Sequence, residues 1–163
     1  MKEIVTKLTT YNIFNYLFPG VLYAFFIKEF FSINIIQKDL LIGFFVYYFI
    51  GSVISRIGSI FIERVLKKIN FIKFVNYSDF ISASQKDSKI KELSEQNNMY
   101  RTLLSLFFCL LITKLIILGT AKIEWLKEHL IIITLSSLFL IFLFAYKKQT
   151  KYVTDRILTA NNK

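Results

Sequence analysis

Apolar residues run almost unbroken through four stretches of the chain, roughly 13–33, 40–62, 102–118 and 130–146, and polar residues gather between them. A bilayer core about 30 Å thick takes about 20 mostly apolar residues as a helix, with a working range of about 17–25. All four stretches meet or approach that length. The pattern therefore predicts an all-α protein, an integral membrane four-helix bundle forming a single membrane domain over residues 1–163. The polar residues 63–101 form a long loop between the second and third spans.

The first span opens with Thr9 and Thr10 as candidate caps and an aromatic belt of Tyr11, Phe14 and Tyr16. Pro19-Gly20 falls in its first half. Proline removes a backbone donor and clashes with the preceding turn. Two readings stand: a kinked or broken start, or an interfacial segment up to Phe18 with the span beginning at Pro19.

The second span ends in Gly51-Ser52-Val53-Ile54-Ser55-Arg56-Ile57-Gly58-Ser59. Gly51, Ser55 and Ser59 recur every four residues on one face, with Ser52 and Arg56 in a neighbouring row. Small residues let membrane helices approach closely, and hydroxyls can bond across the contact. That face reads either as close packing on a neighbouring helix or as a polar, water-lined surface in which Gly51, Ser52, Ser55 and Ser59 line a pore. Arg56 lies one to two turns inside the apolar limit. Such a charge faces a bundle interior, a pore or a partner carboxylate, or snorkels to the headgroups. Glu63, seven residues on, is about 10 Å away by helical rise, too far for a direct pair.

Arg64-Val65-Leu66-Lys67-Lys68-Ile69 continues the second helix beyond the apolar limit. Phe71, Phe74 and Tyr77 interleave with Lys73 across a bend. Ser78 or Asp79 suits an N-cap, and Phe80, Ala83, Ile90 and Leu93 follow at roughly helical spacing, with Asp87 interrupting the stripe. Asn97-Asn98 suits a cap for a third span starting near Tyr100-Arg101-Thr102. The loop thus predicts a cytoplasmic helical hairpin.

Charge fixes the orientation. The N-terminus, the long loop and the tail, with Arg56, hold sixteen of the 21 basic residues, including Lys2, Lys7 and Lys163, against seven acids such as Glu3. The opposite side has five basic residues and four acids. The positive-inside rule puts both termini and the loop in the cytoplasm. Trp125, in the outer turn, suits an interfacial anchor. Lys147-Lys148-Gln149-Thr150-Lys151 is a juxtamembrane basic cluster that fits topology and attraction to anionic membrane lipid.

Catalytic chemistry is missing. His129 is the only histidine and stands apart from any Cys or Asp cluster, and the lone Cys109 lies in an apolar span. No metal-ligand spacing, glycine-rich phosphate loop or nucleophile elbow occurs. No cofactor, no metal and no enzyme activity are expected.

A channel, a small-ligand receptor or an assembly subunit remains. A single four-helix bundle packs too tightly for a water path, but a ring of identical subunits can leave one. A homo-oligomer, with a tetramer favoured, would carry Arg56, Arg64, Lys67, Lys68, Lys73 and Arg101 from every copy at its inner mouth. That is a seat for a polyanion: nucleotide, oligonucleotide or lipid phosphate. Phe71, Phe74, Tyr77 and Tyr100 could offer stacking surfaces for bases, or simply be ordinary interfacial aromatics. The rivals are a non-conducting membrane anchor for a soluble partner and a constitutive holin-like toxin.

The run Gly51-Ser52-x-Ile54-Ser55-Arg56-Ile57-Gly58-Ser59, then Glu63, Tyr77-Ser78-Asp79-Phe80 and Asn97-Asn98-x-Tyr100-Arg101-Thr102, together with Phe18-Pro19-Gly20, resembles small four-span bacterial membrane proteins of anti-phage defence, and in particular the channel subunits of the Hailong system. The resemblance implies a homo-oligomeric ion channel in the bacterial inner membrane. It also implies a partner nucleotidyltransferase whose short single-stranded DNA products keep the channel shut. Loss of that ligand during infection would depolarise the membrane and stop growth. The ligand-facing residues it implies are Arg56, Arg64, Lys67, Lys68, Lys73 and Arg101.

Overall fold

The computed structural model of the chain describes residues 10–161, which are helical apart from short connections and contain no strand. Lys2, Glu3, Lys7, Thr9 and Lys163 lie outside the described residues. Thr10 is itself helical.

Five helices follow one another among the described residues. Helix α1 is described from Thr10, passes through a π-helical segment at Ile13–Leu17 and continues as Phe18–Phe31. Helix α2 runs Leu40–Ile57, through a second π-helical segment at Gly58–Ile62, to Glu63–Lys68. Helix α3 is Tyr77–Lys86, α4 is Lys89–Thr120 and α5 is Glu124–Asn161.

Three of these, α2, α4 and α5, are long and apolar enough to cross a membrane. Helix α1 is not among them. Its first half carries Tyr11, Asn12, Asn15, Tyr16 and Pro19-Gly20, and its last turns carry Lys28-Glu29.

Local chemistry explains most helix limits. Pro19 sits in the first turn of the Phe18–Phe31 segment, directly after the π-helical turn. A widened turn accommodates the missing donor without breaking the rod. Ser32 stops α1 in the left-handed region, at φ 58°, with its N–H on the carbonyls of Ile27 and Lys28. Asp39 caps α2 by accepting from the Ile42 N–H at 2.9 Å. At the far end Asn70 turns the chain with φ 58°.

Four boundaries differ from expectation. Asn76, rather than Ser78 or Asp79, stands at the α3 N-cap, and it makes no side-chain cap bond. Asp87 is extended, and its carboxylate accepts from the Lys89 N–H, so the apolar stripe breaks into two helices there. Helix α4 then runs unbroken from Lys89, leaving Asn97 and Asn98 inside it rather than at a cap. The fourth apolar stretch likewise continues past Tyr146 as α5, because Lys147–Asn161 has no Gly or Pro to stop it.

The packing core is α1, α2 and α4. Ile27, Ile54, Leu106 and Leu110 meet at its centre. Helices α1 and α2 cross at two glycines: a Cβ on Gly20 would run into the Tyr47 carbonyl, and one on Gly51 into the Tyr16 carbonyl. Helix α4 is tied in by Ser105 Oγ donating to the Ile54 carbonyl at 2.7 Å and by a Tyr23–Thr113 hydroxyl pair at 2.6 Å. Helix α5 touches α2 and α4, with Phe49 stacked on Phe142. None of its most apolar stretch is buried, however. Ile131, Leu135 and Phe139 stay more than half exposed. Lipid tails match an apolar helix surface as well as protein side chains do, so the hydrophobic effect does not drive the rest of this surface into the bundle.

Candidate functional site

The ends of α1, α2, α4 and α5 that belong to one side of the molecule converge, and α3 packs beside them. They enclose an open cleft of about 1400 Å³. Its floor is a polar node linking three helices. Asn15, Ser55 and Thr102 are all nearly or fully buried. Thr102 Oγ1 lies 2.7 Å from Asn15 Oδ1, 3.2 Å from Ser55 Oγ and 2.9 Å from the Asn98 carbonyl. Asn15 Nδ2 donates to Ser55 Oγ and to the Tyr11 hydroxyl. Asn15 sits in the first π-helical segment. A buried amide of this kind is tolerated in an apolar core because every side-chain group finds a partner.

One level further out, Glu63 is 5% exposed and gathers three cations from three helices. Lys67 Nζ reaches its Oε1 at 2.9 Å, Arg101 Nη1 its Oε2 at 2.7 Å, and Lys148 Nζ its Oε1 at 3.2 Å. Lys148 also donates to the Ser59 carbonyl and hydroxyl, each at 2.8 Å. One carboxylate facing three cations leaves the cluster positive. Arg101 Nε is buried without an acceptor.

The whole cleft is lined by seven basic side chains against two acidic ones, Glu63 and Asp155. Aromatic rings furnish its walls. Tyr77 stacks on Tyr152 with centroids 4.9 Å apart and on Phe80 at 6.2 Å. Lys67 Nζ sits 4.2 Å over the Phe74 ring.

Of the residues expected to face a ligand, Arg56, Arg64, Lys67 and Arg101 line this cleft. Arg56 meets the Tyr16 hydroxyl at 3.2 Å rather than a carboxylate. Lys68 and Lys73 do not line it. Lys73 lies exposed in the bend after α2, and Lys68 borders a different groove between α2 and α5. Among the aromatic candidates, Phe74 and Tyr77 line the cleft, while Phe71 and Tyr100 are exposed elsewhere. The sequence reading missed Lys147, Lys148 and Lys151, which it took as a lipid-facing cluster. The available signal was the spacing of Lys148, Tyr152 and Asp155 on one helical face.

Of the four residues considered for a pore, Gly51, Ser55 and Ser59 are buried within the chain. Gly51 faces α1, Ser55 belongs to the polar node and Ser59 holds Lys148. Ser52 is half-buried and donates to the Phe49 carbonyl. Within one chain this is a packing face. Among the described residues no group of His, Cys, Asp and Glu comes together that could hold a metal ion. Compared with known protein families, curated proteins and solved structures, the chain matches none.

Proposed function

We propose that the chain is a four-span effector of the bacterial inner membrane with both termini in the cytoplasm. In this reading it assembles as a homo-oligomer, with a tetramer favoured, and conducts ions under the control of an anionic ligand. The ligand class is a nucleotide or short single-stranded DNA made by a partner nucleotidyltransferase. The setting is anti-phage defence, in which opening depolarises the membrane and arrests growth. The cleft carries the proposal: seven cations against two acids, with stacked aromatic walls. Backbone phosphates suit the cations and bases suit the rings, a combination that binds single strands without reading sequence. The four-span arrangement is supported by the way α1, α2, α4 and α5 bring their ends to the cleft side. Gly51, Ser55 and Ser59 are occupied within the chain, so the conducting path belongs between copies.

That same occupation favours a second reading, a non-conducting anchor whose basic cleft captures a soluble partner. Ion flux from liposomes containing the purified chain, with and without short single-stranded DNA, separates the two. Flux that the DNA changes is the expected result. Absence of flux in both conditions, with a soluble partner co-purifying, would establish the anchor.

A further inference from the structure

A second concavity, of about 470 Å³, lies between α2 and α5 on the outer flank of the bundle. Its walls are apolar: Ile60 and Phe61 from α2, Leu140, Ile141 and Phe144 from α5. Phe61 is held in place by stacking on Phe108 of α4, with centroids 5.6 Å apart. Two cations, Arg64 and Lys68, stand at its rim one helical turn apart, and no acidic residue lines it. Neither cation has an ion-pair partner among the described residues, in contrast to Lys67, Arg101 and Lys148 around Glu63.

The level of the groove is set by the sequence. Leu140, Ile141 and Phe144 are the last apolar turns of α5 before Lys147-Lys148, and Phe61 and Val65 are the last of α2 before Lys67-Lys68. The apolar walls therefore stand in hydrocarbon where the cations reach the headgroups.

We infer that this groove is a binding site for one anionic phospholipid, an acyl chain lying along Phe61, Leu140 and Phe144 and the phosphate resting on Arg64 and Lys68. Charge complementarity selects this occupant. An apolar face of a second copy seated here would leave both cations unpaired, and unpaired charges removed from water are costly. A zwitterionic lipid would fill the apolar part and gain little from the rim. The site also accounts for Lys68, which points away from the ligand cleft. Arg64 borders both concavities, whereas Lys68 and Leu140 border only the groove.

The test is native mass spectrometry of the full chain in detergent, titrated with phosphatidylglycerol or phosphatidylcholine. Phosphatidylglycerol should form a saturable one-to-one adduct more tightly than phosphatidylcholine. Lys68→Gln should weaken that adduct about fivefold, the effect of one cation at a lipid surface, and Lys68→Arg should restore it. Leu140→Trp, which fills the groove with an apolar ring, should remove the adducts of both lipids. Lys68→Gln should leave retention of single-stranded DNA unchanged, so this inference and the cleft reading fail separately. Equal binding of the two lipids, or an adduct insensitive to Lys68→Gln, would overturn the inference. So would a lipid-free dimer disrupted by Leu140→Trp, which would give the groove to a second copy.

Discussion

Glu63 holds three helices through one carboxylate, and its removal should loosen all three together. Glu63→Gln leaves Arg101, Lys148 and Lys67 without their anion. Because the cations are partly solvated, the loss should be about 2–3 kcal/mol, below the range for a fully buried pair. Cys109, the single and half-buried thiol, provides the readout. A thiol-reactive dye that fluoresces on labelling should report a lower unfolding temperature for the variant in detergent. Thr102→Val should cost about 1–3 kcal/mol by the same assay, since it strands the Asn15 carbonyl inside the node. Gly51→Ala places a methyl against the Tyr16 backbone, which cannot swing aside, and overpacking of this kind costs about 1–3 kcal/mol. An unchanged melting temperature for Gly51→Ala would mean that α1 and α2 do not cross at this point. At this scale the sequence was half legible. The four-residue recurrence of Gly51, Ser55 and Ser59 marks a contact face from spacing alone. What fills the face could not be read, because Tyr16, Asn15, Thr102 and Lys148 lie 35 or more residues away in the chain.

At the scale of elements, the apolar stretches announced the long helices, and their polar ends were misjudged. Hydropathy stops at Tyr146, yet the helix does not, since nothing in Lys147–Asn161 breaks it. The lysines of that extension therefore swing over the cleft instead of lying along the headgroups. Paired replacement of Lys147 and Lys151 by Gln should lower affinity for short single-stranded DNA while the melting temperature holds. If both cations neutralise phosphates, the slope of log affinity against log salt should shrink by about 0.7 for each of them replaced. The same slope in wild type and variant would remove α5 from the ligand site. The break at Asp87 was visible as an interruption of the apolar stripe. The two π-helical turns were not, because the apolar pattern is the same through an α-turn and a π-turn; only Pro19, directly after the first, marks a place where the helix must adjust.

For the whole molecule, charge asymmetry and span count suggest an arrangement that single-cysteine labelling can check. In a Cys109→Ala background, a membrane-impermeant maleimide should reach Lys122→Cys from outside intact spheroplasts. It should reach Arg156→Cys only after the membrane is opened. Reversed labelling would put the cleft on the outer surface and end its assignment to a cytoplasmic ligand. The lengths of the helices carry a final consequence. Helix α5 has 38 residues, and at about 1.5 Å per residue it measures about 57 Å, nearly twice the hydrocarbon thickness. Helix α4, with 32 residues, also overshoots, and both surpluses fall on the cleft side. On the opposite side only the turns at 32–39 and 121–123 connect the helices. In the proposed four-span arrangement the protein is lopsided: a protease or antibody approaching one face meets two short turns, while one approaching the other meets most of the described residues that lie outside the apolar stretches.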